Sequence, residues 1–563
     1  MREFNTKKLI LASILLLLFI IGTVLIFVVP YSIKSTYGQS VSTSDGEIIS
    51  FNVFEPKAVS GPNKKAVIIG HGFMANKEFM KGYAIELAAA GFVAIPFDFR
   101  GHGQSTGELN RGSLLNDVLA IKSYLASRGD IDMNNLGYIG YSMGGGPGNS
   151  IVNNDTAFKA FVGVGTWLQE GLRKGNSTDQ LNVLMIQAKF DEAVELSNIK
   201  ESVANRTGLS ISNIDVNQLY GSFLNGNATQ IYLDDNSNHL AVAWDTDFLR
   251  EARDWMINTF PDVNTPDEDF YGTIRLFILI IQVIGGMGIV FLALDQISKL
   301  LKFTIRDPDN LVKIDTRETT PEKLALKSLF YSLIFGIPGI FIIIWLFLPL
   351  PLAIEGFVLS LLFGQSFGFL ILFWRLGKKN EIKYLDYFKK SIGSKENLPK
   401  SILFGIILAI ILYVIVYVSV GLNYVGMIPS ISKIPWVPIY IIIGFVIFLI
   451  YHINLQMLIQ SKYPFERNST IKILVINFGL QFLYVISYIL LVSFLTGSLF
   501  YFGTMIPVAT PILIITTFIS VFCYKKTGNI IAGTIVNSVF FVLILSTIAP
   551  YQSLLSFLLG FLG

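Results

Sequence analysis

The sequence predicts a doubly wound α/β domain with a mostly parallel sheet, fused to an all-α polytopic membrane region. Three observations carry that prediction. Hydrophobic residues make up 52% of the 563 positions and charged residues only 15%, a balance far from that of an ordinary soluble protein. Apolar runs long enough to span a bilayer occur once near the amino terminus and then repeatedly after residue 270. Between them lies a stretch of soluble composition in which short apolar runs alternate with helical patterns. The expected organisation is an anchor helix in 1–34, an α/β domain in 35–269 and a membrane domain of about eight helices in 270–563.

Residues 9–29 form an uninterrupted apolar run behind Arg2, Lys7 and Lys8. The apolar core of a cleaved signal is about 7 to 15 residues, shorter than this run, and no small-residue cleavage site follows, so a retained signal anchor is expected. Its basic flank assigns the amino terminus to the cytoplasm and the α/β domain to the outer face of the cell membrane. Further spans are expected at 276–294, 329–348, 352–374, 402–420, 437–459, 473–494, 506–524 and 530–548, which with the anchor makes nine. If these spans are right, Lys and Arg must collect in alternate loops. They do. Lys299, Lys302, Arg306, Lys313, Arg317, Lys323 and Lys327 follow the second span, Arg375 through Lys400 supply the next basic loop, and Lys462, Arg467, Lys472, Lys525 and Lys526 continue the alternation. The opposite loops carry little besides Lys433.

Composition also narrows the function. A net charge of +3, with the basic residues gathered in loops between apolar runs, does not indicate nucleic-acid binding. Cys523 is the only cysteine and lies in an apolar run, which excludes an internal disulfide and cysteine-based metal sites. The four histidines, His71, His102, His239 and His452, show none of the short spacings that zinc or di-iron sites use. No metal and no cofactor is expected.

Inside the α/β domain, the runs 66–69, 92–97, 136–139, 160–164 and 183–186 are almost continuously apolar, as strands buried on both faces of a parallel sheet must be. The run ending at Ile139 leads into Gly140-Tyr141-Ser142-Met143-Gly144-Gly145, a match to G-x-S-x-G. A serine on a sharp strand-to-helix turn takes strained backbone angles, and glycines flank it because side chains there would strike the neighbouring strand and helix. Its hydroxyl then stands exposed at a helix amino terminus. Ser142 is the candidate nucleophile.

His71-Gly72-Phe73 follows the run 66–69, and Asp98-Phe99-Arg100-Gly101-His102-Gly103-Gln104-Ser105 follows 92–97. With these segments the chain resembles the α/β-hydrolase superfamily over nearly all of residues 35–260. The resemblance implies an α/β-hydrolase fold, a serine hydrolase activity, and an oxyanion hole built from the backbone N–H groups of Phe73 and Met143. It further implies an acid and a base downstream, in the order Ser, Asp, His. Asp191, just beyond the run 183–186, is the expected acid; Ala188 stands where the family has glycine, and Glu192 is the alternative. His239, after the run 230–233, is the expected base, while His71 and His102 fall where the family shapes loops. Residues 166–181 and 199–227 are expected to form a small cap.

The later membrane region, at Lys525-Lys526-Thr527-Gly528-Asn529 and on to Asn537, resembles the last motif region of the CAAX-protease and bacteriocin-processing (CPBP) family of intramembrane peptidases. Asn537 and Phe541 replace that family's H-x-x-x-N pattern, and no paired glutamates precede an arginine, so a degenerate scaffold rather than a peptidase is expected. His452, Asn454, Gln456, Asn477, Gln481 and Asn537 fall within spans and are expected to hydrogen-bond between helices.

The function expected from these features is hydrolysis of an ester through an acyl-enzyme on Ser142, at the outer membrane surface. Its partners would be a small-molecule or lipid-like acyl substrate and membrane lipid. Amide or peptide hydrolysis is the alternative chemistry, and a non-catalytic ligand-binding domain of a transporter or receptor is the alternative class.

Overall fold

Val67 and Ile69 belong to one hydrophobic layer and Ala66 and Ile68 to another, and all four are completely buried. Successive side chains of a strand point to opposite faces, so a run with no polar residue can only be a strand covered on both sides. The computed structural model describes residues 6–59, 61–241, 244–303, 313–314, 320–463 and 466–556. Arg2, Arg306 and Arg317, counted above among the topogenic charges, lie outside them.

The chain opens with helix α1 (Thr6–Val28) and enters the α/β domain through β1 (Ile33–Ser42), β2 (Ile48–Pro56), β3 (Lys64–Gly70), α2 (Lys81–Ala89), β4 (Val93–Phe97), α3 (Leu114–Arg128) and β5 (Ile131–Tyr141). It continues with α4 (Gly145–Asn154), β6 (Phe158–Val164), β7 (Asn182–Phe190), α5 (Leu196–Thr207), β8 (Leu219–Tyr220), β9 (Thr229–Asn238) and α6 (Thr246–Thr259). The nine strands form one sheet in the order β1-β2-β4-β3-β5-β6-β7-β9-β8. From β4 to β9 every pairing is parallel, while β1, β2 and β8 add antiparallel edges. Helices α2 and α6 cover one face; α3, α4 and α5 cover the other. This is the doubly wound α/β architecture that the apolar runs predict.

One expectation changes and one edge was not foreseen. Residues 199–227 do not form a cap, because α5 supplies the crossover that parallel strands β7 and β9 require, and Ile199 and Val203 are buried against the sheet. The antiparallel edge β1–β2 escapes the search for apolar runs because Ser50, Asn52 and Glu55 interrupt β2.

Helices α7 (Gly272–Leu300), α8 (Pro321–Phe347), α9 (Ala353–Asn380), the short α10 (Tyr384–Ser391), α11 (Asn397–Val416), α12 (Val437–His452), α13 (Arg467–Thr496), α14 (Phe500–Thr527) and α15 (Ile531–Ile548) complete the chain. Wide turns extend α11 to Val425 and α12 to Ile459. Among the described residues, nine helices are long and apolar enough to cross a membrane, compatible with a multi-pass membrane protein. Helix α1 packs on α7 at backbone distance: a Cβ at Gly285 would lie 2.6 Å from the Phe19 nitrogen.

The helix ends fall into two sets. On one side, Asp295 receives Lys8 at 3.3 Å, Lys299 at 2.6 Å and Lys526 at 2.8 Å, tying together the ends of α1, α7 and α14. On the other side, the turn before α9 pairs with the segment after α15 through Ala353 N–H to Gln552 O, and Lys433 donates to Ala549 O at 2.7 Å. The α/β domain sits on this second side, where Arg275 of α7 donates to Ile26 O and Val29 O at the end of α1.

Candidate active site

Ser142 has φ of +48°, in the left-handed region that a non-glycine residue adopts only at some cost. The turn is held there by close packing. A Cβ on Gly144 would lie 2.7 Å from the carbonyl oxygen of Gly70, and one on Gly140 would lie 2.6 Å from that of Gly144. Thr166, just beyond β6, donates its hydroxyl to Ser142 O at 2.8 Å. The elbow therefore aims the serine at the carboxyl-terminal edge of the sheet, where parallel sheets gather their sites.

His239 follows β9 directly, and its Nε2 lies 3.0 Å from Ser142 Oγ. Its Nδ1 lies 3.0 Å from both carboxylate oxygens of Asp191. Asp191 is held in turn by Ala193 N–H at 2.9 Å and Val194 N–H at 3.0 Å, both donating to Oδ1. The structure thus brings together Ser142, His239 and Asp191, residues separated by as many as 97 positions. Glu192 lies beside them but does not touch the ring nitrogens: its Oε2 accepts from the backbone N–H of His239 at 3.3 Å, and burial raises its pKa. Such a chain can pass the serine proton to the imidazole while the carboxylate orients the ring and offsets its positive charge.

The turn at residues 71–73 rests against the elbow, since a Cβ on Gly72 would come within 3.2 Å of Ser142 Cβ. Phe73 and Met143 consequently flank the serine from opposite segments. His102 Nε2 sits 2.7 Å from Phe73 O, and His71 bridges Gly72 O at 2.7 Å and Phe99 N–H at 3.0 Å. Burial pushes the His71 pKa down to about 4 and lowers that of His102. Both imidazoles are buried braces of the surrounding loops. Asp98 accepts from Lys77 Nζ at 2.6 Å, and Arg100 grips Asp117 at 2.7 Å and Asp45 at 2.6 Å, so the segment from Asp98 to Ser105 is a framework rather than a source of proton carriers.

Sequence reasoning missed Thr166 and Tyr141, whose hydroxyl donates to His239 O at 2.9 Å. Their signal was position: each stands at the carboxyl end of a parallel strand next to the elbow. It also missed the convergence of Asp234, Asp245 and Asp247, whose carboxylates come within 4.8 Å of one another. A cavity of about 400 Å³ between the sheet domain and the helices is lined by Phe27, Tyr37, Lys77, Glu78, Tyr417 and Met427, and none of Ser142, Asp191 or His239 borders it.

In the helical region, His452 bonds Thr534 and Ser520 at 2.8 Å each, and Asn537 bonds Ser520 at 2.7 Å. Asn454 pairs with Ser328 at 3.0 Å and Gln481 with Thr517 at 3.1 Å, so these polar residues join helices as expected. Gln456 and Asn477 are the exceptions, with side-chain amides that have no hydrogen-bond partner among the described residues.

Residues 61–222 match the family described as serine aminopeptidase, S33. An uncharacterized 31.7 kDa protein of Escherichia coli, from the traX-finO intergenic region, is 31% identical over 125 residues, which is 21% of this chain and 42% of that protein. An uncharacterized protein of Mycobacterium tuberculosis is 28% identical over 85 residues, 15% of this chain and 30% of its own length. The match spans less than half the length of either relative. Among solved structures, the Pyrococcus furiosus esterase Pf2001 aligns with 41% of this chain and 94% of its own, at 15% identity and a TM-score of 0.32. DcsB, solved in complex with a substrate analogue, aligns with 41% of this chain and 99% of its own, also at 15% identity and 0.32. The sheet order and the elbow geometry give the domain that carries Ser142 the α/β-hydrolase fold, in keeping with the family match over residues 61–222.

Proposed function

We propose that the protein is a membrane-embedded serine hydrolase that cleaves an ester at the extracytoplasmic membrane surface. The observation that carries this reading is the 3.0 Å approach of His239 Nε2 to Ser142 Oγ on a strained elbow. A folded protein has no structural need for a serine at positive φ. In the proposed reaction, Ser142 Oγ attacks the ester carbonyl carbon while its proton moves to His239 Nε2. The Phe73 and Met143 N–H groups stabilise the developing oxyanion, an effect worth about 2.7 to 4 kcal/mol per donor. Collapse breaks the ester C–O bond, and the proton passes from His239 to the leaving alkoxide. Water, deprotonated by His239, then releases the acid and restores Ser142.

The basic flank of α1 and the alternation of charged loops support the extracytoplasmic placement. A membrane-impermeant fluorophosphonate probe applied to intact cells tests nucleophile and topology together. Wild type is labelled and Ser142→Ala is not; labelling of wild type only after lysis reverses the orientation, and equal labelling of both variants removes Ser142 as nucleophile. The matching family's description favours one second reading, cleavage of an amide or peptide. Turnover of amino-acid anilides above that of p-nitrophenyl esters selects it. If cellular function survives Ser142→Ala and His239→Ala, the domain binds ligand without turnover, as in a transporter or receptor.

A further inference from the structure

Several loops at the carboxyl-terminal edge of the sheet are braced against the helical region. After β3, the Asn76 side-chain amide donates to Val425 O, and Lys81 at the start of α2 donates to Leu422 O at 2.8 Å and Asn423 Oδ1 at 3.1 Å. After β4, Tyr551 N–H donates to Gly101 O at 2.6 Å, and Leu109 N–H to Tyr551 O at 2.9 Å. After β7 and β9, Glu192 packs against Gly503, and Asn238 donates to Gly503 O at 3.3 Å. The Trp244 ring lies 6.5 Å from that of Tyr424. Four loops of the carboxyl-terminal edge therefore rest on three helix-end segments, the continuation of α11, the start of α14 and the stretch after α15.

These segments all belong to the helix ends opposite Asp295, so they mark one surface of the helical region. In a chain whose long helices cross the bilayer, that surface lies at the membrane interface, and the edge of the sheet bearing Ser142 is turned toward it. Two exposed aromatics stand on the rim of the same edge. Trp167 is 50% exposed and its ring lies 3.6 Å from where a Cβ of Gly146 would stand in α4; Phe190 is 60% exposed and immediately precedes Asp191. Lys189 Nζ lies 5.7 Å from the centre of the Phe190 ring, and at the level of lipid headgroups such rings and their cation find an amphipathic environment.

We propose that the substrate of the Ser142 site is an acyl ester of a membrane lipid, drawn from the adjoining leaflet past Trp167 and Phe190 without passing through water. This rests on the serine hydrolase reading and specifies its substrate class. The acyl carbon transfers from the lipid oxygen to Ser142 Oγ as the ester C–O bond breaks, and His239 gives the serine proton to the leaving lipid alkoxide, forming its hydroxyl. Water then liberates the fatty acid from Ser142. The helix ends would hold the site at carbonyl depth, so that the acyl chains remain in hydrocarbon throughout and no desolvation of a free lipid is required.

The test uses the full chain reconstituted into phosphatidylcholine vesicles containing dioleoylglycerol, with fatty-acid release followed alongside hydrolysis of water-soluble p-nitrophenyl acetate. Wild type releases fatty acid from the vesicles, and Trp167→Asp and Phe190→Asp each lower the ratio of lipid turnover to soluble-ester turnover by about tenfold or more. Hydrolysis of the soluble ester with inert vesicle lipid, or with a ratio unchanged in both variants, overturns the lipid proposal and leaves the serine hydrolase reading standing. Failure to turn over either substrate, together with no fluorophosphonate labelling of Ser142, overturns both.

Discussion

The side-chain amide of Asn238 donates to the backbone carbonyl of Gly503 across 265 positions of sequence, seating the loop of His239 on the first turn of α14. Gly503 also leaves room for Glu192, because a Cβ there would collide with Glu192 Oε1. Gly503→Val is therefore expected to displace the Glu192 carboxyl, which accepts from the His239 N–H, and lower kcat on a soluble ester by up to about tenfold. In the double variant with Glu192→Ala, which vacates the space, much of that loss is recovered, and a double-mutant cycle measures the coupling.

The two adjacent acids separate by geometry. Both oxygens of Asp191 lie 3.0 Å from His239 Nδ1, whereas Glu192 reaches only the backbone of His239. Asp191→Asn is expected to lower kcat by about 10⁴-fold, as loss of the orienting carboxylate does elsewhere. Glu192→Gln keeps an acceptor for the His239 N–H and is expected to stay within about fivefold of wild type. Steady-state kinetics on both variants reads the difference.

Two glycines of one turn should respond oppositely. Gly144→Ala drives its methyl to 2.7 Å from Gly70 O and 2.9 Å from His71 O, backbone atoms that cannot step aside, and destabilisation of about 2 kcal/mol or more is expected. Gly146→Ala meets only the Trp167 ring at 3.6 Å and gains helix propensity of up to about 1 kcal/mol. Thermal melting of the full chain in detergent distinguishes them.

Glu86 on α2 is 1% exposed and accepts from Tyr271 N–H at 3.0 Å, and burial raises its pKa to about 7. A carboxyl whose folded pKa exceeds its unfolded one favours folding at low pH, and that contribution is lost as pH rises from the unfolded value near 4.5 toward 7. The loss is on the order of 3 kcal/mol. Glu86→Gln keeps the acceptor without the charge. Its melting temperature is expected to exceed that of wild type at pH 8, with the gain largely gone at pH 5.

The legible parts of the molecule are those with local causes. The runs around Ile68, Ile95, Ile139, Val162 and Met185 became strands because continuous apolarity leaves a buried parallel strand as the fitting short element. Ser142 was visible because its strain demands flanking glycines close in sequence. Strands β1 and β8 were not, since an edge strand is half exposed and carries mixed side chains. The crossover role of α5 was also hidden: whether a polar amphipathic stretch caps a site or covers a sheet depends on the strand it leads to.

By itself the sequence determined which segments are long and apolar enough to cross a membrane and where the central parallel strands lie, because burial is written in the local spacing of apolar side chains. It also supplied each active-site candidate as a residue type beyond a strand end. Only the tertiary structure decided that Asp191 rather than Glu192 reaches the imidazole, and that Asn238, Glu192, Asn76 and Gly101 rest on distant helix ends. Hydrogen bonds and steric contacts act over a few ångströms in space, and the pairs that meet there lie from 48 to more than 300 residues apart along the chain.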